Sequence, residues 1–213
     1  IFTMNTTESL NLAIKGCTQP GDHIITTSME HNSVARPLKE LEKINISTTY
    51  VRADSQGKID PTDIRKAIRV NTRLIVTTHA SNVTGTLVPV QEIGKIAREH
   101  GILYLVDAAQ TAGIIPINLS TLPVDMMAMP GHKGLLGPQG TGVLYLAPHV
   151  RLKQLKEGGT GSQSESLVQP EFLPDRYESG TLNTPGIAGL GAGINYIIKK
   201  GQNTLLARVR RIE

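Results

Sequence analysis

The sequence predicts an α/β protein, a three-layer α/β/α arrangement around a mainly parallel sheet. Three observations lead there. Short apolar runs alternate with amphipathic stretches in the order β-α-β-α-β. The runs are continuously apolar, as strands buried on both faces are. The size also fits, since 213 residues with 39% hydrophobic and 19% charged residues can bury a full core without disulfide or metal staples.

Each element has its own signal. Thr6-Thr7-Glu8-Ser9 precedes an apolar-periodic stretch through Leu10, Leu12, Ala13 and Ile14, which marks a helix N-terminus. Pro20-Gly21-Asp22 is a turn, and His23 to Thr27 a short strand. Residues 33–44 place Val34, Leu38 and Leu41 on one face of an amphipathic helix. Ile46 to Val51 is the next strand. Asp60-Pro61-Thr62-Asp63 starts a helix running through Ile68, with Pro inside its first turn. Leu74 to Thr78 and Ile102 to Val106 are buried strands; Val124 to Met129 and Val143 to Leu146 are two more. Val90 to His100 is helical and Gly101 ends it. Residues 185–200 form a Gly/Ala-rich helix. The chain opens on Ile1 inside a strand pattern and stops at Glu213 inside a helical one, so a fragment of a longer protein is expected.

Composition excludes several classes. A single Cys, Cys17, rules out an internal disulfide framework and a multi-Cys zinc site. Aromatics at 3% are thin for stacking on single-stranded nucleic acid. The net charge of +4 is dispersed, and its densest cluster, Arg208, Arg210 and Arg211, reads as a solvated helix face. Neither a nucleic-acid partner nor a membrane partner is expected, because no apolar run approaches the roughly 18 residues of a span.

In parallel sheets, ligands bind beyond the carboxyl ends of the strands. The residues just after the strands are His31, then His79 to Gly85, then Asp107-Ala108-Ala109-Gln110, then Pro130-Gly131-His132-Lys133-Gly134. Asn82, Asp107, Gln110, His132 and Lys133 therefore converge on one edge. Taken singly, each has a plainer explanation. Lys133 reads as a surface lysine, Asp107 as a helix cap, Thr6 and Thr7 as an N-cap, and His31 as a structural histidine. Taken together, they suit one chemistry. A Lys amine holds an aldehyde cofactor as a Schiff base, and pyridoxal phosphate (PLP) adds an acidic partner on its ring nitrogen. Asp107 suits that partner. Gln110 and Asn82 suit the ring oxygen, and His31 suits the ring face. Thr6 and Thr7 at a helix start suit the phosphate. Burial and a neighbouring cation are expected around Lys133. Gly131, Gly134 and Gly137 are expected to let backbone approach the ligand. A Walker A loop is excluded by the residue after Lys133, and no G-x-G-x-x-G joins a strand to a helix.

Thr6-Thr7-Glu8, His31-Asn32-Ser33, Ser81-Asn82-Val83-Thr84-Gly85, Val106-Asp107-Ala108-Ala109-Gln110 and Gly131-His132-Lys133, in this order, resemble the class V aminotransferase family of fold-type I PLP enzymes. Within it the likeness is to the cysteine desulfurase and selenocysteine lyase branch. The resemblance implies that residues 1–213 are a PLP-binding large domain like that of aspartate aminotransferase, truncated at both ends, with the small C-terminal domain absent. It implies Lys133 as the Schiff-base lysine and proton shuttle, and Asp107 as the pyridinium partner. His31 becomes the ring-stacking residue, and Thr7 with its helix amides the phosphate cradle. His132 becomes a phosphate-side neighbour, and Gln110 and Asn82 ring-oxygen and substrate-side contacts. Thr181, in Glu178-Ser179-Gly180-Thr181-Leu182-Asn183-Thr184, would reach the phosphate of the other subunit of a homodimer. A small amino-acid substrate, a sulfur-acceptor protein and a cytoplasmic setting follow from the same likeness. So do the alternatives of a class V transaminase or a catalytically incomplete protein of this fold.

Two features depart from the family pattern. Pro130 stands where many relatives carry a Ser or Thr, so one phosphate donor is expected to be lost. The nucleophilic Cys of a desulfurase and the Arg that binds the substrate carboxylate are expected beyond Glu213, since Cys17 falls near the end of a helix and suits packing.

Overall fold

The computed structural model describes residues 1–201, so the cluster Arg208, Arg210 and Arg211 lies outside the described residues. The elements are β1 (Phe2–Thr3), α1 (Thr6–Cys17), β2 (His23–Thr27), α2 (Asn32–Leu41), β3 (Ser47–Val51), α3 (Pro61–Lys66), β4 (Thr72–Thr78), α4 (Val90–Glu99), β5 (Leu103–Asp107), β6 (Met126–Pro130), β7 (Gly142–Leu146) and α5 (Thr184–Lys200).

Alternate residues of the central strands feed two separate cores. Ile24, Leu74, Val76, Leu105, Met126 and Ala128 pack with α1 and α2, through Leu10, Ala13, Ile14, Val34 and Leu38. Ile25, Ile75, Tyr104, Val106 and Met127 pack with α3 and α4, through Ile64, Val90, Ile93 and Ala97. One sheet between two helical layers is the three-layer architecture expected, and it explains the apolar runs, since both faces of β4 and β5 are covered.

The strand order is β1-β7-β6-β5-β4-β2-β3. Strands β3, β2, β4, β5 and β6 are mutually parallel. β7 runs antiparallel to β6, and β1 antiparallel to β7. Several boundaries differ from the sequence expectation. α2 ends at Leu41 and tightens into a 3₁₀ turn over Glu42–Ile44, which Asn45 closes at φ 62°. α3 stops at Lys66, where the Ala67 amide turns back on the last carbonyls. β6 runs from Met126 to Pro130.

This topology makes the ligand edge. β3 lies on one side of β2 and β4 on the other, so the chain reverses direction across the sheet between them. The turns leaving β2 and β4 therefore diverge and leave a crevice at their carboxyl ends. α1 leads directly into β2, so its C-terminus is at the amino edge of the sheet and its N-terminus at the carboxyl edge. Among the described residues, no helix is long and apolar enough to cross a membrane.

Candidate active site

The N-terminus of α1 forms one wall of a cleft of about 150 Å³. Asn5 caps this helix rather than Thr6 or Thr7. Its extended backbone lets Oδ1 accept from the Glu8 amide at 2.9 Å. The first-turn amides have no intrahelical partner and form the positive end of the helix. Thr6 and Thr7 line the cleft beside them. Thr6 Oγ1 is buried without a hydrogen-bond partner.

His31 reaches the cleft from the turn after β2 and caps α2 with its own ring. Nδ1 accepts from the Ser33 amide at 3.1 Å, so donor geometry places the ring proton on Nε2. Ser33 Oγ lies 2.9 Å from the same nitrogen and 2.8 Å from Thr7 Oγ1. One hydroxyl thus joins the N-terminus of α1 to the imidazole.

Asp107 ends β5 and is 3% exposed. Its Oδ1 accepts from the Ala109 amide at 2.9 Å. Burial raises its pKa above the usual carboxylate value; the Ala109 amide, His31 and Lys133 oppose that rise. A buried carboxylate beside an open cleft is a seat for a cationic group, which would repay the lost solvation.

Lys133 lies in the turn after β6, where the Leu136 amide bonds the Lys133 carbonyl at 2.9 Å and the Gly137 amide bonds Gly131 at 2.7 Å. The glycines of this turn serve packing of the chain against itself, which corrects the expectation that they make room for a ligand. A Cβ on Gly131 would lie 2.0 Å from Thr141 Oγ1, one on Gly134 2.3 Å from the Ala112 carbonyl, and one on Gly137 2.8 Å from Leu190. The expected burial of Lys133 is also corrected: the residue is exposed, on the rim of the cleft.

The cleft brings together Thr6, Thr7, His31, Asn82, Asp107, Gln110, His132 and Lys133. Pro130 lines it too, without an N–H to offer. Thr181 is not part of it. That residue lines a separate cavity of about 370 Å³, walled by Phe2, Met4, Leu155 and Tyr177. His79 is buried behind the cleft, its Nδ1 2.8 Å from Thr111 Oγ1, and burial lowers its pKa. Cys17 is packed into the α1 core and donates to the Ile14 carbonyl at 3.7 Å. Burial pushes its thiol up to about 12.

Asn5 and Ser33 carry parts in this cleft that the sequence alone did not assign. Asn5 is a preferred cap type one residue before the expected helix start. Ser33 belongs to a quoted motif but carried no role there.

Residues 1–212 match the model of the family Aminotransferase class-V. The chain is 40% identical, over 100% of its length, to a probable cysteine desulfurase of Methanothermobacter thermautotrophicus, and covers 53% of that protein. It is similar at 37% identity and a TM-score of 0.87 to the apo structure of a cysteine desulfurase from Thermococcus onnurineus NA1, over 95% of this chain and 52% of that one. A third likeness, at 35% identity and a TM-score of 0.80 over 92% of this chain and 54% of the other, is to SspA in complex with cysteine. The chain spans about half the length of the curated relatives it matches. A family model matched from end to end, on a fold shared with these solved structures, makes the chain a member of the class-V aminotransferase family.

Proposed function

We propose that the chain is the PLP-binding domain of a cysteine desulfurase. The observation that carries this reading is the convergence, in one cleft, of an exposed Lys133 amine, a buried Asp107 carboxylate, the His31 imidazole and the N-terminus of α1. These residues fit PLP. The unpartnered Thr6 hydroxyl and the first-turn amides of α1 suit its phosphate, with Thr7 and His132 beside them. The buried Asp107 suits a protonated ring nitrogen, whose positive charge would repay the carboxylate's lost solvation.

PLP, when bound, supplies an electron sink that loosens bonds at the substrate α-carbon. The protein residues do the rest. Lys133 would hold the cofactor through its amine and, once free, would carry protons at the substrate α-carbon. Asp107 would keep the ring nitrogen protonated. His31 would contact the ring, with its tautomer set by Ser33. Asn82 and Gln110 would orient the cofactor and the substrate. Thr181 lies outside its own cleft, which supports a role at the neighbouring subunit of a homodimer.

Desulfuration also needs a cysteine thiolate to take the sulfur. The buried Cys17, with its thiol pushed up to about 12, is unsuited to that task. The reading therefore places the acceptor thiol outside this chain, with a sulfur-accepting protein next in line and a cytoplasmic setting. The test is the full-length protein with PLP, L-cysteine and a thiol reductant. Equal amounts of alanine and sulfide are expected. Amine transfer to a keto acid without sulfide would instead favour the class V transaminase.

A further inference from the structure

Glu30 immediately precedes His31 at the carboxyl end of β2. The residue is half-buried, and its carboxyl group is turned inward and buried. Oε1 accepts from the Thr27 hydroxyl at 2.6 Å, and Thr27 Oγ1 itself accepts from the Met29 amide at 3.2 Å. The Thr27 proton is thereby committed to Oε1. Oε2 is buried and has no hydrogen-bond partner. An ionised carboxylate with one dry, unpartnered oxygen loses solvation that the Thr27 hydroxyl and the Thr78 backbone return only in part, whereas the neutral acid loses far less.

The titratable groups that bear on Glu30 are Asp107 and Tyr104 of β5, and neither brings positive charge. Burial, chiefly, pushes its pKa up to about 8; the Thr27 hydroxyl and the Thr78 backbone oppose this and Asp107 adds to it. An apolar side chain would be cheaper at this point. What the acid adds is a tie from β2 to the turn that carries His31, next to Asp107.

We propose that Glu30 is a positioning residue of the ring site. Held as a neutral acid, it fixes the β2–α2 turn under His31 and leaves Asp107 as the single negative charge facing the cofactor ring. This inference rests on the PLP reading above. Ionised, Glu30 would set a second negative charge beside Asp107 and favour protonation of that carboxyl, weakening its hold on the ring nitrogen.

The test uses the full-length protein with two variants and two readouts. In the apo protein at pH 7, infrared spectroscopy should show a buried protonated-carboxyl band that Glu30→Gln removes. In the PLP-loaded protein, Glu30→Gln should bind cofactor within about threefold of wild type, whereas Glu30→Ala should bind at least about tenfold more weakly. Wild type should show a step near pH 8 in the visible absorption of bound cofactor, and Glu30→Gln should lack it. If Glu30→Ala does not fold, as circular dichroism would show, the Gln variant decides alone. The proposal is overturned if the infrared band is missing, if wild type and Glu30→Gln titrate alike, or if Glu30→Gln loses as much affinity as Glu30→Ala. If wild type binds no PLP while the infrared band is present, the functional reading fails and takes the ring-site role with it, although Glu30 is then still a neutral acid.

Discussion

Thr7 Oγ1 and Ser33 Oγ lie 2.8 Å apart, although the two residues begin different helices. Through the Ser33 hydroxyl and amide, the start of α1 is tied to the His31 ring. The N-terminus of α1 and the His31 imidazole lining the cleft are thus linked through one hydroxyl. Removing one neutral hydrogen bond of this kind costs about 1 kcal/mol, or roughly fivefold in affinity. Ser33→Ala and Thr7→Ala should each weaken PLP binding by roughly that factor. The double variant should lose less than the product of the two, because both remove the same bridge. Fluorescence titration of the full-length protein with PLP measures all three.

Gly113 and Gly134 should be far less tolerant than their type suggests. Gly113 sits at φ +82°, and a Cβ on it would lie 2.1 Å from the Gly134 carbonyl oxygen. That contact is backbone against backbone and cannot relax by a rotamer change. Gly113→Ala should cost about 2–4 kcal/mol in urea unfolding and displace the turn that carries Lys133. Gly85→Ala is the control. Its φ is +70°, but nothing lies within 4 Å of its Cβ position, so it should cost only about 1 kcal/mol.

The Glu30 contribution to stability should fall as the pH rises from 6.5 to 8. The folded-state pKa of Glu30 is raised from 4.5 to about 8, so the folded protein binds the proton that the unfolded chain has released. Its unfolding free energy then drops with pH across that window, by at most about 1.4 kcal/mol per pH unit. His23 acts in the opposite sense but lower down. Its pKa is pushed to about 4, mainly by burial and then by Arg69, so its penalty appears only as the pH falls below 6.5. Urea unfolding at pH 6.5 and pH 8 should show this decline as a stability difference between wild type and Glu30→Gln that shrinks at the higher pH.

Cys17 should be inert in the native protein. Its thiol is buried and pushed up to about 12, chiefly by desolvation. A soluble thiol reagent should label it only after denaturation, and Cys17→Ala should keep full alanine production in the full-length protein. Rapid native labelling, followed by mass spectrometry of the peptide around Cys17, would show that α1 opens far more readily than its packing implies.

The layers were legible in the sequence because both faces of the sheet are covered. Ile24-Ile25 and Leu74-Ile75-Val76 supply one core with one residue and the other core with the next, so apolar runs appear where a half-exposed sheet would alternate. The cleft was legible because parallel strands deliver their next residues to one edge, which placed Asn82, Asp107, Gln110 and Lys133 together. The direction of β7 was not, since an apolar run looks the same either way. Nor was the purpose of Gly131 and Gly134, which depends on Thr141 and Ala112 arriving from other parts of the chain. The burial of the Glu30 carboxyl depends on the packing around β2, β4 and β5, which no local pattern encodes.

Borohydride reduction of the PLP-loaded full-length protein reveals which lysine holds the cofactor. Proteolysis and mass spectrometry then locate the reduced pyridoxyl group. A single modified peptide is expected, carrying the group on Lys133, and its loss in Lys133→Ala. A pyridoxyl group on any other lysine, or an unchanged adduct in Lys133→Ala, would contradict that role of Lys133.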